Sequence, residues 1–407
     1  MVTSISEEQI NALFLILDVG QMIENSAVFQ AQVVDQVLAL RKLDYSVVVM
    51  CAFSDREKFQ QAAGNKLNEY KVPLILIPDR GLLINIMTFT SELIKLTQSQ
   101  SRAVRQIYIR GFWAAFPILL ASPMRRISYV YDVRGDTIDE SVARGRAPYR
   151  LYLIQMLETF ALQRARYVTC VSNRLSSIIQ SRARLKSLPE VIPSCIDLTD
   201  FSFSDEVRAA RRSELGFSNE DIVFVYSGGM AAYQMLAEMI VLWRSVLRLN
   251  NNIKFLLMIN SDPQSLECSL GSLDEFGSRI KILNLPRSKV FETLSAADIG
   301  FLLREDRALN ATASPVKFAE YLAAGLAVVS SPGVGDISDR IIKRNIGVLV
   351  KPLKESPEVA TLTKFIDEFN TNRVAFRNRS LLVVRENYGW PAYDNIYHKM
   401  YSNIVGI

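Results

Sequence analysis

The sequence predicts an α/β protein built on two doubly wound parallel sheets. Three observations carry this: short β-branched or apolar runs alternate with longer segments of helical period, the alternation begins afresh past residue 220, and a breaker-rich stretch separates the two series. The first series places strands at Leu13–Leu17, Val47–Cys51, Leu74–Ile77, Ile107–Ile109, Ile127–Tyr131 and Tyr167–Val171. The second places them at Ile222–Tyr226, Lys254–Ile259, Ile280–Leu283, Ile299–Leu303, Ala327–Ser330 and Gly347–Val350. Ile192-Pro193-Ser194 and the polar run Asp197–Asp205 supply the break, so a boundary is expected near residue 200. The expected domains are 1–200 and 201–380, with a tail over 381–407 that is interrupted at Gly389-Trp390-Pro391 and packs back on the body.

Size and composition agree with this organisation. At about 150 residues per domain, 407 residues make two or three domains. With 49% hydrophobic and 22% charged residues the chain can fill large cores, and extended disorder is not expected. The net charge of +5 is unevenly spread: twelve Lys or Arg face five Asp or Glu between Arg125 and Lys186, a local excess of +7 that leaves −2 for the rest. One basic surface follows, either a solvated helical face or a site for phosphates or anionic headgroups; nucleic acid is not indicated.

Several function classes drop out. Cys51, Cys170, Cys195 and Cys268 are scattered with no neighbouring His, so neither a zinc set nor a disulfide framework is indicated, and a reducing cytoplasm is the expected compartment. His398 is the only histidine, which removes the usual imidazole-based hydrolases. The first residues lack the charge order of a secretory signal. The longest wholly apolar stretch, Phe112 to Ala121, falls short of the roughly 20 residues that span a bilayer.

Open parallel sheets bind ligands beyond the carboxyl ends of their strands. In the first series those positions hold Asp18-Val19-Gly20, Arg110-Gly111 and Asp132-Val133-Arg134-Gly135-Asp136. In the second they hold Ser227-Gly228-Gly229, Arg304-Glu305-Asp306-Arg307 and Ser331-Pro332-Gly333. The segment Ala313–Gly325 is the most informative. Ser314 suits an N-cap, Pro315 the first helical position and Gly325 a left-handed C′ residue, giving a helix of about three turns. Lys317 then sits in the first turn, where the macrodipole disfavours a cation by a few tenths of a kcal/mol to about 1 kcal/mol. A diphosphate on the amides of Ser314–Lys317 would reverse that sign, with Arg304 as a second cation. Glu320, on the same face as Lys317, suits hydrogen bonds from sugar hydroxyls. The plain structural alternative is that Lys317 pairs with Glu320, and Arg304 with Glu305 or Asp306.

Ala313–Gly325 followed by Leu326-Ala327-Val328-Val329 resembles the donor-site helix of family 4 glycosyltransferases, retaining enzymes of the GT-B fold. Val171-Ser172-Asn173, Val191–Asp197 and Tyr226-Ser227-Gly228-Gly229 match in order, and Tyr131–Gly135 with Asp139-Glu140 resembles a bacterial subgroup that builds surface polysaccharides. The resemblance implies two Rossmann-like domains facing across a cleft, with a UDP-sugar or GDP-sugar held mainly by the second domain and a glycan or lipid-linked glycan acceptor mainly by the first. Glu320 matches the family's ribose-binding glutamate, and Arg304 and Lys317, read from the residues themselves, are the expected replacements for cations the family carries elsewhere; these three are the expected catalytic residues, with Gly228, Gly229, Thr312, Ser314, Pro315 and Val316 expected to bind the donor. Gly20, Asp132 and Arg134 become acceptor-binding. No metal and no further cofactor are expected, since charge on the departing diphosphate can be met by cations and helix amides.

This sequence departs from the family pattern at two places. Thr312 stands where the first glutamate of the family's Glu, any seven residues, Glu pattern is expected, and the family's Arg and Lys after the first strand of the second domain are replaced by Gly229 and the Tyr233-Gln234 region. These departures motivate an alternative, a catalytically weak or inactive GT-B subunit that partners another transferase; a sugar-nucleotide epimerase is a third. Asp132 and Arg134 are equally readable as a pair with each other or as caps of the next helix. The cluster Phe112-Trp113-Phe116-Pro117, with Arg125-Arg126 downstream, reads as core in preference to a membrane-docking face. Trp390-Pro391 resembles the point where the final helix crosses back to the first domain, and His398 is expected to be a packing or surface residue. The expected location is the cytoplasm, with contact at the inner face of the membrane as the variant that a lipid-linked acceptor would require.

Overall fold

The computed structural model describes residues 12–16, 29–60, 64–99, 106–122, 127–199, 201, 203–248, 250, 252–259, 273–351 and 356–402. Chain contacts divide the protein into two units. The first runs to Asp197 and takes up the chain again at Trp390; the second spans Leu198–Gly389. The switch at Trp390 means that the helix Arg373–Asn387 stays with the second unit, and only the chain beyond it rejoins the first.

Seven parallel strands form the first sheet: β1 (Ala12–Ile16), β2 (Val47–Phe53), β3 (Leu74–Pro78), β4 (Gln106–Arg110), β5 (Tyr129–Val133), β6 (Tyr167–Cys170) and β7 (Glu190–Val191), in the order β3-β2-β1-β4-β5-β6-β7. β7 is a two-residue edge strand that the sequence pattern does not reveal. β5 lies two residues further along than the apolar run suggests, and its register explains why. Arg110, Asp132 and Thr169 are direct cross-strand neighbours on β4, β5 and β6. The Asp132 carboxylate takes an ion pair from Arg110 at 2.9 Å and a hydrogen bond from Thr169 Oγ1 at 2.8 Å, so a charged residue is satisfied inside the strand.

Both faces of this sheet are covered, as parallel pairing requires. On one face lie Phe89, Leu93 and Leu96 of the helix Leu82–Ser99, Ile118 of Ala115–Ala121, Ala161 and Leu162 of Pro148–Arg164, and Ile179 of Asn173–Ala183. Phe112 is buried and Trp113 and Phe116 pack against the same core, with stacked and edge contacts among the three rings. Val37, Leu38 and Leu40 of Asp35–Lys42 cover the other face together with Trp390 and with Tyr397, Met400 and Tyr401 of the closing helix Asp394–Ser402. His398 points outward from that helix and shares a 2.8 Å hydrogen bond with the Tyr45 hydroxyl. Cys51, Cys170 and Cys195 are buried free thiols; Cys268 lies outside the described residues.

The second sheet has six parallel strands: β8 (Ile222–Ser227), β9 (Ile253–Met258), β10 (Ile280–Leu283), β11 (Ile299–Leu302), β12 (Ala327–Ser330) and β13 (Gly347–Leu349), ordered β10-β9-β8-β11-β12-β13. The change of direction after β10 puts a topological switch beside β8 and β11. Asp298 fixes the amino end of this sheet. Its buried carboxylate accepts from Arg208 at 2.6 Å, Arg212 at 3.2 Å and the Val223 amide at 2.9 Å. Burial would raise its pKa, and those two arginines overcome that effect and hold it below the ordinary carboxylate range.

One buried carboxyl in the first unit lacks such compensation. Glu158, on the inner side of Pro148–Arg164, is 1% exposed and accepts a hydrogen bond from Thr137 at 2.6 Å. Burial pushes its pKa from 4.5 up to about 7. Because the folded value exceeds the unfolded one, this group's contribution to stability is fully present below pH 4.5 and is lost as pH rises through 7, where the buried carboxyl must ionise and the Arg182 charge offsets only part of the cost of burial. Glu158→Gln, which keeps the acceptor for Thr137, is expected to raise unfolding free energy at pH 8 by on the order of 3 kcal/mol, a gain that shrinks toward pH 5 in urea titrations.

Candidate functional site

The site is built at the carboxyl edge of the second sheet, on the loops leaving β8 and β11 and on the helix Val316–Ala323. Tyr321 fastens that helix to the sheet. Its hydroxyl accepts from the Ser227 amide at 3.0 Å, donates to the Phe301 carbonyl at 3.3 Å, and its ring lies where a side chain on Gly300 would stand. Gly300 in the middle of β11 is therefore a packing requirement of Tyr321.

The helix begins one residue later than the sequence suggests. Pro315, at φ −64° and ψ 123°, is itself the N-cap residue, Val316 is the first helical residue, and no side chain caps the end. The proline ring holds φ while the extended ψ directs the chain into the helix, so Ser314 stands one position outside the cap. The helix is eight residues long, about two turns, and Gly325 beyond it takes φ +73° as a left-handed C′ residue should. The Phe318 amide donates to the Pro315 carbonyl at 3.1 Å, and among the described residues no side chain caps the amides of Val316 and Lys317.

Lys317 extends from the first turn to the end of β8. Its Nζ donates to Gln234 Oε1 at 3.1 Å and lies 4.3 Å from the centre of the Tyr226 ring. It also occupies the space above the Gly228 Cα, where any Cβ would strike the ammonium group. Tyr226 turns its hydroxyl to the Gly229 carbonyl at 2.5 Å, which sets the turn carrying both glycines.

Arg304 enters from β11. Ser331 grips its backbone on both sides, accepting from the amide at 2.7 Å and donating to the carbonyl at 2.9 Å. The guanidinium is 8% exposed, lies 5.0 Å from the centre of the Tyr233 ring, and leaves its buried Nη1 without a hydrogen-bond partner. Among the described residues neither Arg304 nor Lys317 forms an ion pair with a carboxylate. Glu305 is taken by Arg307 at 2.6 Å, and Glu320 by Arg287 at 2.5 Å, so neither pairing that the plain alternative expects is formed. Burial lowers the proton affinity of both cations. For Lys317 the neighbouring Arg304 charge adds to the effect and Glu320 opposes it.

Glu320 is 3% exposed, and Arg287, which holds it, begins the helix after β10. Neither Arg287 nor Gln234 stands out in the sequence as a functional residue. The usable signal for Arg287 is its place just past a strand's carboxyl end, behind Leu285-Pro286. Thr312 is buried, and its hydroxyl reaches the Leu309 carbonyl at 3.3 Å, so a short side chain fills the place of the family glutamate. Ser314, Pro315 and Val316 are half-buried around the helix start.

The acceptor-side candidates belong to the first unit. Asp132 is wholly buried and paired with Arg110; Arg134 is half-buried, with its Nε 3.9 Å from Asp132 and its Nη2 donating to Ser194 at 3.2 Å. Arg110 also donates to Gln36 at 2.7 Å, and Gln36 to the Tyr397 hydroxyl at 3.0 Å. Two guanidinium groups therefore share one carboxylate at the end of β5. The next helix is capped by Asp136, which accepts from the Ile138 and Asp139 amides and takes both Nη groups of Arg182 at 2.6 Å. Gly20, Glu24-Asn25-Ser26 and Arg125-Arg126 lie outside the described residues.

Two parallel-sheet α/β units of seven and six strands make up a GT-B architecture. The comparisons agree. Residues 30–200 match the model of Glycosyltransferase Family 4, and GT-B glycosyltransferases share the fold over the whole chain. Anabaena HepE in complex with UDP superposes with a TM-score of 0.72 at 14% identity, covering 96% of this chain and 99% of that one. A glycosyltransferase from Rickettsia africae superposes at 0.70 with 12% identity over 97% and 98% of the two chains. The sucrose-phosphate synthase of Thermosynechococcus elongatus does so at 0.65 with 14% identity over 97% and 98%. Comparison of the sequence with curated proteins finds no match.

The Glu320–Arg287 pair lends itself to a direct measurement. Arg287→Ala leaves a buried carboxylate without its cation and is expected to lower unfolding free energy by about 1–3 kcal/mol. Adding Glu320→Gln in the same chain should recover most of that loss in urea titrations.

Proposed function

We propose that the protein is a retaining glycosyltransferase that moves a sugar from a nucleoside-diphosphate donor, UDP- or GDP-linked, to a glycan or lipid-linked glycan acceptor in surface polysaccharide synthesis. The observation that carries this reading is the pairing of Arg304 and Lys317. Two cations share a partly desolvated turn, and among the described residues no carboxylate is bonded to either and one guanidinium nitrogen is left unpartnered. Such a turn is matched by a ligand with two adjacent negative charges. A pyrophosphate lying along Gly228 would meet Lys317 and Arg304 with its oxygens and the open amides of Val316 and Lys317 with its outer edge. HepE bound to UDP, with the same fold, supports a nucleotide donor.

The reaction breaks the bond between the donor's anomeric carbon and the diphosphate oxygen and forms one from that carbon to an acceptor hydroxyl oxygen. Negative charge develops on the departing diphosphate, where Lys317 and Arg304 stand preorganised to receive it. The leaving oxygen can take the acceptor's proton on the same face of the sugar, so configuration is retained and no protein nucleophile is required. Glu320, held by Arg287, is the acceptor of hydrogen bonds from the ribose hydroxyls. In the first unit Arg134 presents a guanidinium toward acceptor groups, and Asp132, being buried, acts as a positioning residue for Arg110 and Arg134.

Lys317→Ala and Glu320→Ala are each expected to lower kcat/KM at least tenfold, about 1.4 kcal/mol; wild-type rates in both would remove the assignment. EDTA is expected to leave the rate unchanged, and strict dependence on a divalent ion would contradict neutralisation by side chains. Donor binding that occurs without transfer or hydrolysis of any sugar nucleotide would favour the partner-subunit reading that Thr312 motivates.

The lowered proton affinity of Lys317 also sets a sign for pH dependence. The bound diphosphate raises what burial has lowered, so donor affinity is highest below the pKa of the free protein and falls as pH rises toward that of the complex. Calorimetric titration of UDP is expected to show proton uptake within that interval, which begins below the ordinary lysine range, and Lys317→Ala should abolish it.

A further inference from the structure

We propose that the outer face of the helix Pro148–Arg164 is a docking surface for an anionic lipid membrane. Tyr149, Tyr152, Leu153, Met156 and Phe160 recur at helical spacing and fall on one stripe. Each is between 46% and 68% exposed, while Ile154, Glu158, Ala161 and Leu162 on the opposite side fill the core. The helix is apolar on both sides, a pattern expected of one buried all round, yet one side faces solvent.

The charge around the stripe selects the occupant. From residue 144 to residue 166 the chain carries Arg144, Arg146, Arg150, Arg164 and Arg166 and a single acid, Glu158, which is buried. Arg164 lies 4.3 Å from the Phe160 ring centre and Arg150 is 5.7 Å from that of Tyr149, so guanidinium groups run alongside the apolar side chains. The nearest acidic side chain paired here is Glu140, which meets Arg144 at 3.6 Å. A second copy of this chain seated on the stripe by two-fold symmetry would bring arginines against arginines. A surface of anionic headgroups over acyl chains meets both the charge and the apolar band. Among the described residues no helix is long and apolar enough to cross a membrane, so this helix would lie on the surface.

Topology gives the placement a consequence. The helix returns the chain from the carboxyl edge of β5 to the start of β6, so its Tyr149 and Tyr152 end stands at the sheet edge that carries Asp132 and Arg134. On the same face of the sheet, Leu83, Ile84 and Met87 open the helix Leu82–Ser99 with further exposed apolar side chains. A membrane meeting this end of the unit would offer acceptors anchored in lipid, which narrows the acceptor class to lipid-linked glycans. That last step rests on the glycosyl-transfer reading, whereas the docking does not.

Vesicle co-sedimentation tests the docking without reference to activity. The full chain is expected to pellet with vesicles of phosphatidylglycerol and phosphatidylcholine, to remain in solution with phosphatidylcholine alone, and to release as salt is added. Tyr152→Ser, Leu153→Ser and Met156→Ser combined should lower the partition coefficient at least tenfold with the melting temperature and the UDP-induced thermal shift unchanged. Arg150→Glu with Arg164→Glu, which touches no core residue, should do the same and so covers the case in which the triple variant misfolds. Failure of the wild-type chain to pellet with anionic vesicles would overturn the proposal. So would equal pelleting of the charge-reversed variant, or a stripe-dependent dimer in light scattering that ignores lipid. A chain that docks yet transfers no sugar leaves the membrane surface standing and sinks only the catalytic reading.

Discussion

Holding two positive side chains together where water is scarce is the constraint on which the second unit's architecture turns. Burial disfavours each charge and their mutual repulsion disfavours both, so the arrangement persists only because the surrounding fold leaves them little freedom to separate. Ser331 fixes the Arg304 backbone from two sides, Tyr321 fixes the helix that carries Lys317, and Gly228 leaves the room in which the ammonium group sits. Two tyrosine rings, Tyr226 and Tyr233, offer their negative faces to the cations in place of carboxylates. Aromatic faces relieve part of the cost while leaving the charges open to an anion, which a buried glutamate would not do.

Several buried carboxylates in both units are spent on structure. Asp298 gathers Arg208 and Arg212 at the amino end of the second sheet, Asp136 takes Arg182, and Asp132 ties β4 to β6 through Arg110 and Thr169. Glu320 is claimed by Arg287 before any ligand arrives. The excess of cations beside Gly228 is therefore a local property of placement, since these four carboxylates are engaged elsewhere. An electrostatic contrast of this kind concentrates positive potential at one turn of a protein whose overall charge is small.

Much of the architecture was legible in the primary structure. Alternating apolar runs locate twelve of the strands, and the glycine and charge clusters at their carboxyl ends mark the edge where the site lies. Lys317 could be named because a cation in a helix's first turn conflicts with the macrodipole unless an anion accompanies it, and Arg304 because it follows the carboxyl end of a strand. The misreadings share a cause. Asp132 looked like a residue past the end of a strand because its polarity was visible and its compensation by Arg110, some twenty residues earlier, was not. Ser314 looked like a cap because the local pattern admits two starting points for the helix, and only the packing of Tyr321 against β8 and β11 fixes which is used.

By itself the sequence determined the α/β class, the two series of strands, and which side chains could serve phosphate, because hydrophobic period, turn residues and helix-end chemistry act over a few neighbouring positions. Tertiary structure alone decided which charges are cancelled and which are left over. Glu320 finds Arg287 across thirty-odd residues, Arg304 finds no carboxylate among the described residues despite two acidic residues directly following it, and the Pro148–Arg164 helix keeps one apolar face in solvent while the other fills the core. Partnership between charges depends on distance in space and on loss of water, and neither quantity is set until the sheets have assembled.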